Sequence, residues 1–181
     1  MLILWRLGLG RFLAGPRRGY VMVLVTTGRK TGRRRPVPLN FAEDPGSVYC
    51  LAGFGKTTHW LINLQADPAC EVWLPDGRRL HGNAAAVTDE ARRIEIIRRV
   101  LIRAGFATTV AEPGLDPLAA SDAEIAALGQ RYGHRYEVVQ IRLDGSACGP
   151  GGPCDLKWVL GLTVAGGAAL ALVLGRRCRS S

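Results

Sequence analysis

The chain has 181 residues, which is enough for one domain with a sizeable core, and its formal net charge is +9, from 24 Lys and Arg against 15 Asp and Glu. The first 42 residues contain nine basic and no acidic residues, whereas the two kinds are equal in number in the rest of the chain. This segregation favours a phosphate, a chain of carboxylates or an anionic lipid surface as the partner. No nucleic acid is expected, because the basic block lacks interleaved aromatic residues and any nucleic-acid-binding motif.

The N-terminal segment is predicted to form a short amphipathic helix. It is not a typical signal peptide, because Arg6 and Arg11 interrupt its apolar run. Such a helix could pack on the domain or lie among lipid headgroups, and the sequence leaves both alternatives open. The apolar residues that would form its buried face are Leu2, Leu4, Leu9, Phe12 and Leu13.

Three strands are predicted next along the chain. Residues 20–27 form a continuous apolar, β-branched run that is typical of a buried strand, and strands at residues 35–41 and 47–52 follow. Between the first two strands, GRKTGRRR has two glycines four residues apart with basic residues around them, which predicts a tight turn whose backbone can approach an anion. Pro36 and Pro38 alternate in the second strand, so their missing N–H groups point the same way, toward an edge or a ligand.

Helices are predicted in the middle of the chain. The segment HWLINLQADP has helical spacing of its apolar residues, and Pro68 ends the helix. Thr88 is predicted to be the N-cap of a longer helix, and residues 122–131 form a second, weaker one. The apolar face of the longer helix comprises Ile94, Ile97, Leu101 and Ala104.

The remaining strands suggest the architecture. Residues 71–74 and 78–87 are predicted to form a hairpin across the turn PDG, and residues 136–143 form the last strand. Antiparallel connections with only a few helices predict a small α+β barrel rather than a parallel βαβ sheet.

The C-terminal segment differs from the rest of the chain. Residues 158–175 carry no charge, and as a helix they would be about 27 Å long, close to the thickness of a bilayer core, about 30 Å. Basic residues flank the run on both sides, so we predict a transmembrane helix, with a buried core helix as the alternative. Gly161 and Ala165 give a spacing of small residues that is compatible with a homo-oligomer.

A Gly- and Pro-rich stretch precedes this segment. We therefore divide the chain into a body at residues 1–143, a linker at 144–155 and a membrane anchor at 156–181. Cys148 and Cys154 in the linker could form a disulfide, but a reduced pair is the default for a cytoplasmic chain of this size. The spacings of the five cysteines match no zinc site, so we predict no metal.

The motifs of the body, taken together, resemble a known family. TTGRKTGRRRPVPLNF, followed by a turn, a strand and GFGKTTHWLINLQADPACEV, is similar to the signature of the deazaflavin (F420)-dependent nitroreductase family, and the resemblance covers about residues 1–143. It implies a split β-barrel, FMN-binding-like and flanked by helices, that uses reduced F420 as hydride donor. Some members of that family associate with membranes and reduce quinones.

The resemblance also implies the cofactor-binding residues. F420 carries a lactyl phosphate and an oligoglutamate tail, so its site needs a basic rim and close backbone approach. The phosphate and tail are assigned to Arg29, Lys30 and Arg35, and the wall of the deazaflavin ring to Pro38 and Leu39. A solvated turn is the alternative for Arg29 and Lys30. A loop over the phosphate or ring and a pair at the start of the following helix complete the set: Ala52, Gly53, Phe54, Gly55 and Lys56, and Trp60 and Asn63.

These assignments predict an F420H2-dependent oxidoreductase at the cell membrane, with its catalytic domain facing the cytoplasm. The acceptor is an electrophile, either a quinone, which could be membrane-resident, or a nitro compound. The stretch RAGFATTV corresponds to a tyrosine-lined acceptor pocket in the best-studied branch of the family and offers only Phe106. The final proton could come from water, a tyrosine or His59. The alternative function is non-catalytic binding of F420, another flavin or a haem-like ligand on the same fold.

Overall fold

Six strands form a closed antiparallel barrel. The structure, a computed structural model, describes residues 2–15, 19–128, 136–148, 152–153 and 155–156. The strands are β1 (Val21–Thr27), β2 (Arg34–Asp44), β3 (Ser47–Ala52), β4 (Ala69–Trp73), β5 (Arg79–Ala86) and β6 (Glu137–Ser146). Around the barrel they follow the order β1-β2-β3-β6-β5-β4, and β4 pairs with β1 to close it.

Short helices and one long helix flank the barrel, which confirms the predicted α+β barrel with flanking helices. The helices are α1 (Leu2–Arg6), α2 (Gly10–Leu13), α3 (His59–Ala66), α4 (Glu90–Ala104), α5 (Phe106–Ala111) and α6 (Asp122–Ala126). The sequence predicted α3, α4 and α6, but not α5. The predicted helix at residues 122–131 is shorter than expected, since α6 ends at Ala126, and its last residues, 129–131, lie outside the described residues.

Strand β1 is apolar throughout because both of its faces are buried. Met22 and Leu24 point into the barrel and belong to its central core cluster. Val23 and Val25 point outward and pack against other apolar side chains in a separate cluster outside the barrel. A strand that is covered on both faces carries a continuous hydrophobic run instead of an alternating one, as the sequence predicted.

Helix α4 covers the outer face of β2, β3 and β6. Its buried side chains pack against Ala42, Tyr49 and Val138. The N-cap is Asp89, whose carboxylate accepts the backbone N–H of Arg92, so the predicted cap at Thr88 is wrong by one residue. The apolar face is also displaced from the predicted one, because Ile94 is only partly buried. The buried residues of the helix are Ile96, Ile97, Val100, Leu101 and Ala104.

The N-terminal segment folds into two short helices instead of one. Gly8 has φ of +76°, a conformation outside the right-handed helical region, and it lies between the end of α1 and the start of α2. Trp5 is fully buried against Val23, Val25 and Trp73, so at this point the segment packs on the barrel. Gly10 lies directly under the Trp5 ring, where a Cβ would come within 2.9 Å of it. Packing around Trp5 therefore determines the shape of the N-terminus.

No helix within the described residues is long and apolar enough to cross a membrane. The predicted span, residues 158–175, lies outside the described residues and stays a prediction. Strand β6 continues to Ser146, three residues beyond the predicted end of the last strand. The division into body, linker and anchor likewise stays a prediction.

Candidate functional site

The basic turn between β1 and β2 is tightly folded. The backbone N–H of Gly28 donates to the Arg33 carbonyl at 2.8 Å, and the N–H of Gly32 donates to the Gly28 carbonyl at 2.8 Å. Gly32 has φ of +64°, a conformation that glycine adopts without strain. A Cβ at Gly28 would lie 3.1 Å from the Thr31 hydroxyl oxygen, so this position is tight as well. The chain thus holds the predicted anion-binding turn in one defined conformation.

A cleft of about 470 Å³ lies between this turn, the start of β2 and α3. Five of the twelve residues predicted for the cofactor lie together in its wall: Arg29, Lys30, Arg35, Trp60 and Asn63. The other residues of the wall are Gly28, Thr31, Pro36, Val37 and His59.

Asn63 joins the helix to the turn. Its side chain is buried, and its Oδ1 accepts hydrogen bonds from the backbone N–H and the Nη1 of Arg29 at 3.3 and 3.4 Å. Its Nδ2 donates to the hydroxyl of Thr26, near the end of β1, at 3.2 Å. A buried amide is stable only when its polar atoms find partners, and here these partners fix Arg29 relative to α3.

The cleft keeps its positive charge. In the part of the chain that the structure describes, the exposed side chains of Arg29, Lys30 and Arg35 form no ion pair with a carboxylate. Arg34, by contrast, forms an ion pair with Glu71 at 2.8 Å. Because alternate residues of a strand point to opposite faces, Arg35 points away from the face on which Arg34 binds Glu71 and lies on the side of the cleft.

The prolines of β2 lie at an edge, as predicted. Both fall within the register of β1, opposite Val25 and Val23, whereas β3 pairs only with the later part of β2, from Phe41 onward. The first part of β2 therefore has one partner strand among the described residues, and its other edge is open. Pro36 lines the cleft, but Pro38 does not.

The predicted ring wall lies farther along β2 than the cleft. Pro38 is exposed, and Leu39 is partly buried and packs against the core cluster inside the barrel. Neither residue lines the basic cleft. Their contact with the ring stays a prediction, which requires the ring to extend from the basic cleft along the strand.

The predicted loop after β3 also lies away from the basic cleft. Ala52 is fully buried in the barrel core, and Gly53 lies beside the ring of Tyr136. Phe54 is 73% exposed, and Gly55 begins a 3₁₀ turn (Gly55–Thr57) with φ of +56°. The role of this loop over the phosphate or ring therefore stays a prediction too.

Lys56, the last residue of that predicted set, lines a second cleft of about 290 Å³. This cleft is largely apolar and runs between α3 and the ends of β5 and β6. It contacts Leu61, Leu64 and Gln65, whereas the basic cleft contacts His59, Trp60 and Asn63, so the two clefts lie against different faces of α3.

Sequence reasoning omitted part of the cleft wall. Val37 and Thr31 were not assigned a role, and His59 was considered only as a proton source. Thr31 lies between residues that were assigned, so its neighbours carried a signal. Val37 had none, because an inward-facing valine of a strand is ordinarily a core residue.

The core cysteines are not suited to chemistry. Cys50 and Cys70 are buried inside the barrel. Burial raises the pKa of the Cys70 thiol to about 12, and burial raises that of Cys50 as well. Because the thiolate is the reactive form of cysteine, both residues serve as small core side chains.

Comparison with known proteins finds a family model that covers more than half of the chain. The model describes the F420H(2)-dependent quinone reductase family and matches residues 8–109. This range contains β1 to β5, α2 to α4, most of α5 and every residue of the basic cleft.

Several solved structures are similar to this one. An F420-H2 dependent reductase, FDR-A, is 26% identical over 68% of this chain and 93% of its own, with a TM-score of 0.43. General Stress Protein 26 from Bacillus anthracis str. Sterne is 14% identical over 70% of this chain and 81% of its own, with a TM-score of 0.45. The heme storage protein HutZ from Vibrio cholerae is 12% identical over 77% of this chain and 87% of its own, with a TM-score of 0.46. These superpositions are too loose to bear on function.

Proposed function

Because the chain belongs to the F420H(2)-dependent quinone reductase family, we propose that it reduces a quinone with a hydride from reduced F420. The chain is an F420-dependent oxidoreductase, and coenzyme F420 is its cofactor. The identity of the acceptor is the part that we propose. A nitro compound, the other acceptor predicted from the sequence, is the competing candidate.

The main support is the basic cleft. F420 is a long polyanion, and three cations line the cleft: Arg29, Lys30 and Arg35. Among the described residues, no carboxylate forms an ion pair with any of these three side chains, whereas the neighbouring Arg34 is paired with Glu71. Arginine and lysine donate charge-assisted hydrogen bonds to phosphate and carboxylate oxygens, and a glycine-containing turn allows the backbone to approach them. The residues that are present therefore fit the phosphate and tail.

The helix supports these cations. Asn63 holds Arg29, and the buried Trp60 forms the floor at the start of α3. We place the deazaflavin ring of the cofactor beside Pro38 and Leu39, at the open edge of β2. The loop at residues 52–56, which lies outside the basic cleft, would contact the cofactor only where the cofactor extends beyond that cleft.

The chemistry needs little from the protein beyond positioning. Bound in its reduced form, F420 supplies a hydride from its deazaflavin ring. The quinone would take up that hydride and one proton to become the quinol, and the proton given up on oxidation of the cofactor would pass to solvent. His59 is exposed at the cleft, and either its imidazole or solvent supplies the proton to the quinone.

The proposed location is the cell membrane, with the catalytic domain facing the cytoplasm. The support is the uncharged run at residues 158–175 and the basic residues that flank it. A membrane anchor would hold the domain beside its proposed acceptor, since quinones with long isoprenoid chains reside in the bilayer.

An acceptor comparison tests the proposal. The full-length chain in nanodiscs is supplied with F420H2 under anaerobic conditions, and the return of oxidised F420 absorbance is followed with a naphthoquinone, a benzoquinone or a nitroaromatic compound. We expect oxidation that depends on the quinone and has the higher kcat/KM for quinones. A higher kcat/KM for the nitroaromatic compound, or no quinone-dependent oxidation, would overturn the proposed acceptor.

A further inference from the structure

A third cleft lies at the other end of the barrel from the basic cleft. Its volume is about 610 Å³, and the turn between β2 and β3, residues 45–46, forms part of its wall. The basic turn precedes β2 and this turn follows it, so the two clefts lie against opposite ends of the eleven-residue strand. A ligand in the third cleft would therefore leave the basic cleft free for the cofactor.

Arg103, near the end of α4, is held in place in the wall of this cleft. Its backbone carbonyl accepts the N–H of Tyr20 at 2.8 Å. The Cζ of its guanidinium lies 4.2 Å from the centroid of the Tyr20 ring and 5.6 Å from that of the Phe41 ring, distances that are typical of cation–π contacts. Gly19 allows the chain to come this close to α4, since a Cβ there would lie 2.2 Å from the Ala104 carbonyl oxygen. The two rings thus fix the guanidinium at one point of the cleft.

The guanidinium of Arg103 has no anionic partner. Within the residues that the structure describes, no carboxylate forms an ion pair with it, and its buried Nε has no hydrogen-bond partner. Polar groups that leave the solvent are bonded in the great majority of cases, so an unpaired guanidinium in a cleft marks a position where a ligand or water supplies the acceptor. Because Nε is enclosed, a ligand in the cleft can reach the guanidinium only through its two Nη atoms.

The other charged side chains of the cleft wall are paired. The Glu43 carboxylate binds Arg78 at 3.1 Å, and both residues line the cleft. The Asp44 carboxylate, also in the wall, binds Arg99 on α4, and this hydrogen bond holds the pKa of Asp44 below its usual value, so the carboxyl group stays ionised and paired. Among the described residues that line the cleft, Arg103 is therefore the charged side chain that lacks a counter-ion.

The cleft also offers an apolar surface and free space. Leu80 and Leu143 line it, and both are partly buried against the core cluster inside the barrel. Gly46 and Gly145 lie in the same wall, and a Cβ at either position would meet no atom within 4 Å. A ligand with an apolar group has room beside these leucines.

We propose that the third cleft binds a small organic carboxylate, whose carboxylate group pairs with Arg103 and whose apolar part contacts Leu80 and Leu143. A guanidinium matches the geometry of a carboxylate, and one unpaired cation matches one negative charge. The nearby carboxylates of Glu43 and Asp44 disfavour a ligand with several negative charges, such as inorganic phosphate. This site is separate from the proposed reduction of a quinone and does not rest on it.

Fluorine NMR can test the ligand class. The full-length chain in phosphatidylcholine nanodiscs is added to para-fluorobenzoate, and the broadening of the fluorine signal is compared with that caused by empty nanodiscs. We expect broadening that unlabelled benzoate reverses and inorganic phosphate does not, and much less broadening of the uncharged para-fluorobenzamide. No broadening beyond the empty nanodiscs, equal broadening of the amide, or displacement by phosphate as effective as that by benzoate would overturn the proposal.

Two matched variants test the position of the site. Arg103→Gln should weaken the binding of para-fluorobenzoate by about tenfold or more, because a charge-assisted contact is lost. Arg142→Gln removes the same charge from an exposed position on β6 that does not line the cleft, and it should leave the affinity unchanged. Unaltered F420 affinity serves as the check that each variant is folded. Equal affinity for para-fluorobenzoate in wild type and folded Arg103→Gln would overturn the proposal.

A further variant keeps the packing of Arg103 intact. Gly46→Asp adds a carboxylate to the cleft wall, where φ is +74°, a conformation that aspartate tolerates better than most residues. The added negative charge should repel para-fluorobenzoate and weaken its binding, even if Arg103→Gln does not fold. Unchanged affinity in a folded Gly46→Asp variant would place the ligand outside this cleft and overturn the proposal.

Discussion

Asn63, on the helix that caps the basic cleft, accepts hydrogen bonds from both the backbone N–H and the guanidinium of Arg29, at 3.3 and 3.4 Å. The same amide donates to Thr26 in β1 at 3.2 Å. One buried side chain thus connects the helix, the strand and the basic turn. The position of a cation that is assigned to the cofactor therefore depends on the packing of α3 against the barrel.

The first prediction concerns this connection. Asn63→Ala should weaken F420 binding about fivefold, because Arg29 loses its acceptor and a net hydrogen bond is worth roughly 1 kcal/mol. It should also lower the free energy of unfolding by about 1–3 kcal/mol, because Thr26 and Arg29 lose a buried partner. Cofactor titration and urea unfolding measure the two effects.

The control for this variant is Gln65→Ala, an exposed position on another face of the same helix. It should change neither quantity by more than a small amount. If Asn63→Ala loses stability but keeps full affinity for F420, Asn63 is a packing residue only.

The second prediction concerns the charge of the cleft. The double variant Arg29→Ala with Lys30→Ala should bind F420 about a hundredfold more weakly, since two charge-assisted contacts together contribute on the order of 3 kcal/mol. Equilibrium titration with F420 measures the loss.

A matched double variant separates local contacts from net charge. Arg33→Ala with Arg34→Ala removes the same charge from the same turn, but neither residue lines the cleft and Arg34 already binds Glu71. Its effect on F420 affinity should be much smaller. Equal losses in the two double variants would mean that only the overall charge attracts the cofactor.

Much of the fold could be predicted from local signals. Strand β3 has the predicted bounds, and β1 and β2 begin within one residue of theirs, because runs of apolar residues bounded by turn residues are local features. The sequence predicted one N-terminal helix, but not its division into two, since the break at Gly8 accommodates the burial of Trp5 against strands that lie far away in sequence.

Part of the candidate site could also be predicted from the sequence. Arg29 and Lys30 lie in the turn and Arg35 lies beside it at the start of β2, so their proximity followed from the sequence, and the resemblance added Trp60 and Asn63. None of residues 52–56 lines the basic cleft, and Lys56 lines the second cleft against another face of α3. The position of a helix across a barrel is a tertiary property. The contribution of Val37 to the wall depends on the same packing.

The third prediction is a pH dependence of stability. Burial alone would raise the pKa of Glu71, but hydrogen bonds from Arg79 and Trp73 and the charge of Arg34 outweigh it and hold the pKa below its usual value. A carboxylate with a lowered pKa stabilises the fold above its unfolded pKa, about 4.3, and this contribution is lost as the pH falls toward the lower folded value.

Glu71→Gln should therefore destabilise the protein at neutral pH and flatten the decline of the unfolding free energy below about pH 4.3. Urea unfolding over a pH series measures this slope. Glu95→Gln, at a carboxylate that is half-exposed on α4, should leave the slope nearly unchanged. Identical slopes in wild type and Glu71→Gln would show that the Glu71 network does not contribute to acid sensitivity.

The fourth prediction concerns the anchor. Truncation after Leu156 should release a folded, soluble domain that keeps F420 affinity, because the barrel and the contacts of Arg6 with Asp155 and Leu156 are all retained. Activity should fall more for long-chain quinones in vesicles than for short soluble ones, because the domain no longer resides beside the bilayer. Carbonate-wash fractionation and both activities provide the test.

A full-length chain that already partitions to the soluble fraction would contradict this prediction. So would a truncated chain that is unfolded, because residues 157–181 would then be part of the core. Truncation at residue 150 offers a comparison, since it removes Asp155 and Leu156 and with them their contacts with Arg6.

The central claim is that the chain uses reduced F420 to reduce a quinone, and one anaerobic turnover tests it most directly. The full-length protein, loaded with F420H2, is mixed with a short-chain quinone, and oxidised F420 and quinol are measured together. We predict one quinol for each F420 oxidised, with the Arg29→Ala and Lys30→Ala double variant slower at limiting F420H2 and recovered at saturation. F420H2 that stays reduced, or that is oxidised equally fast without quinone, would contradict the claim.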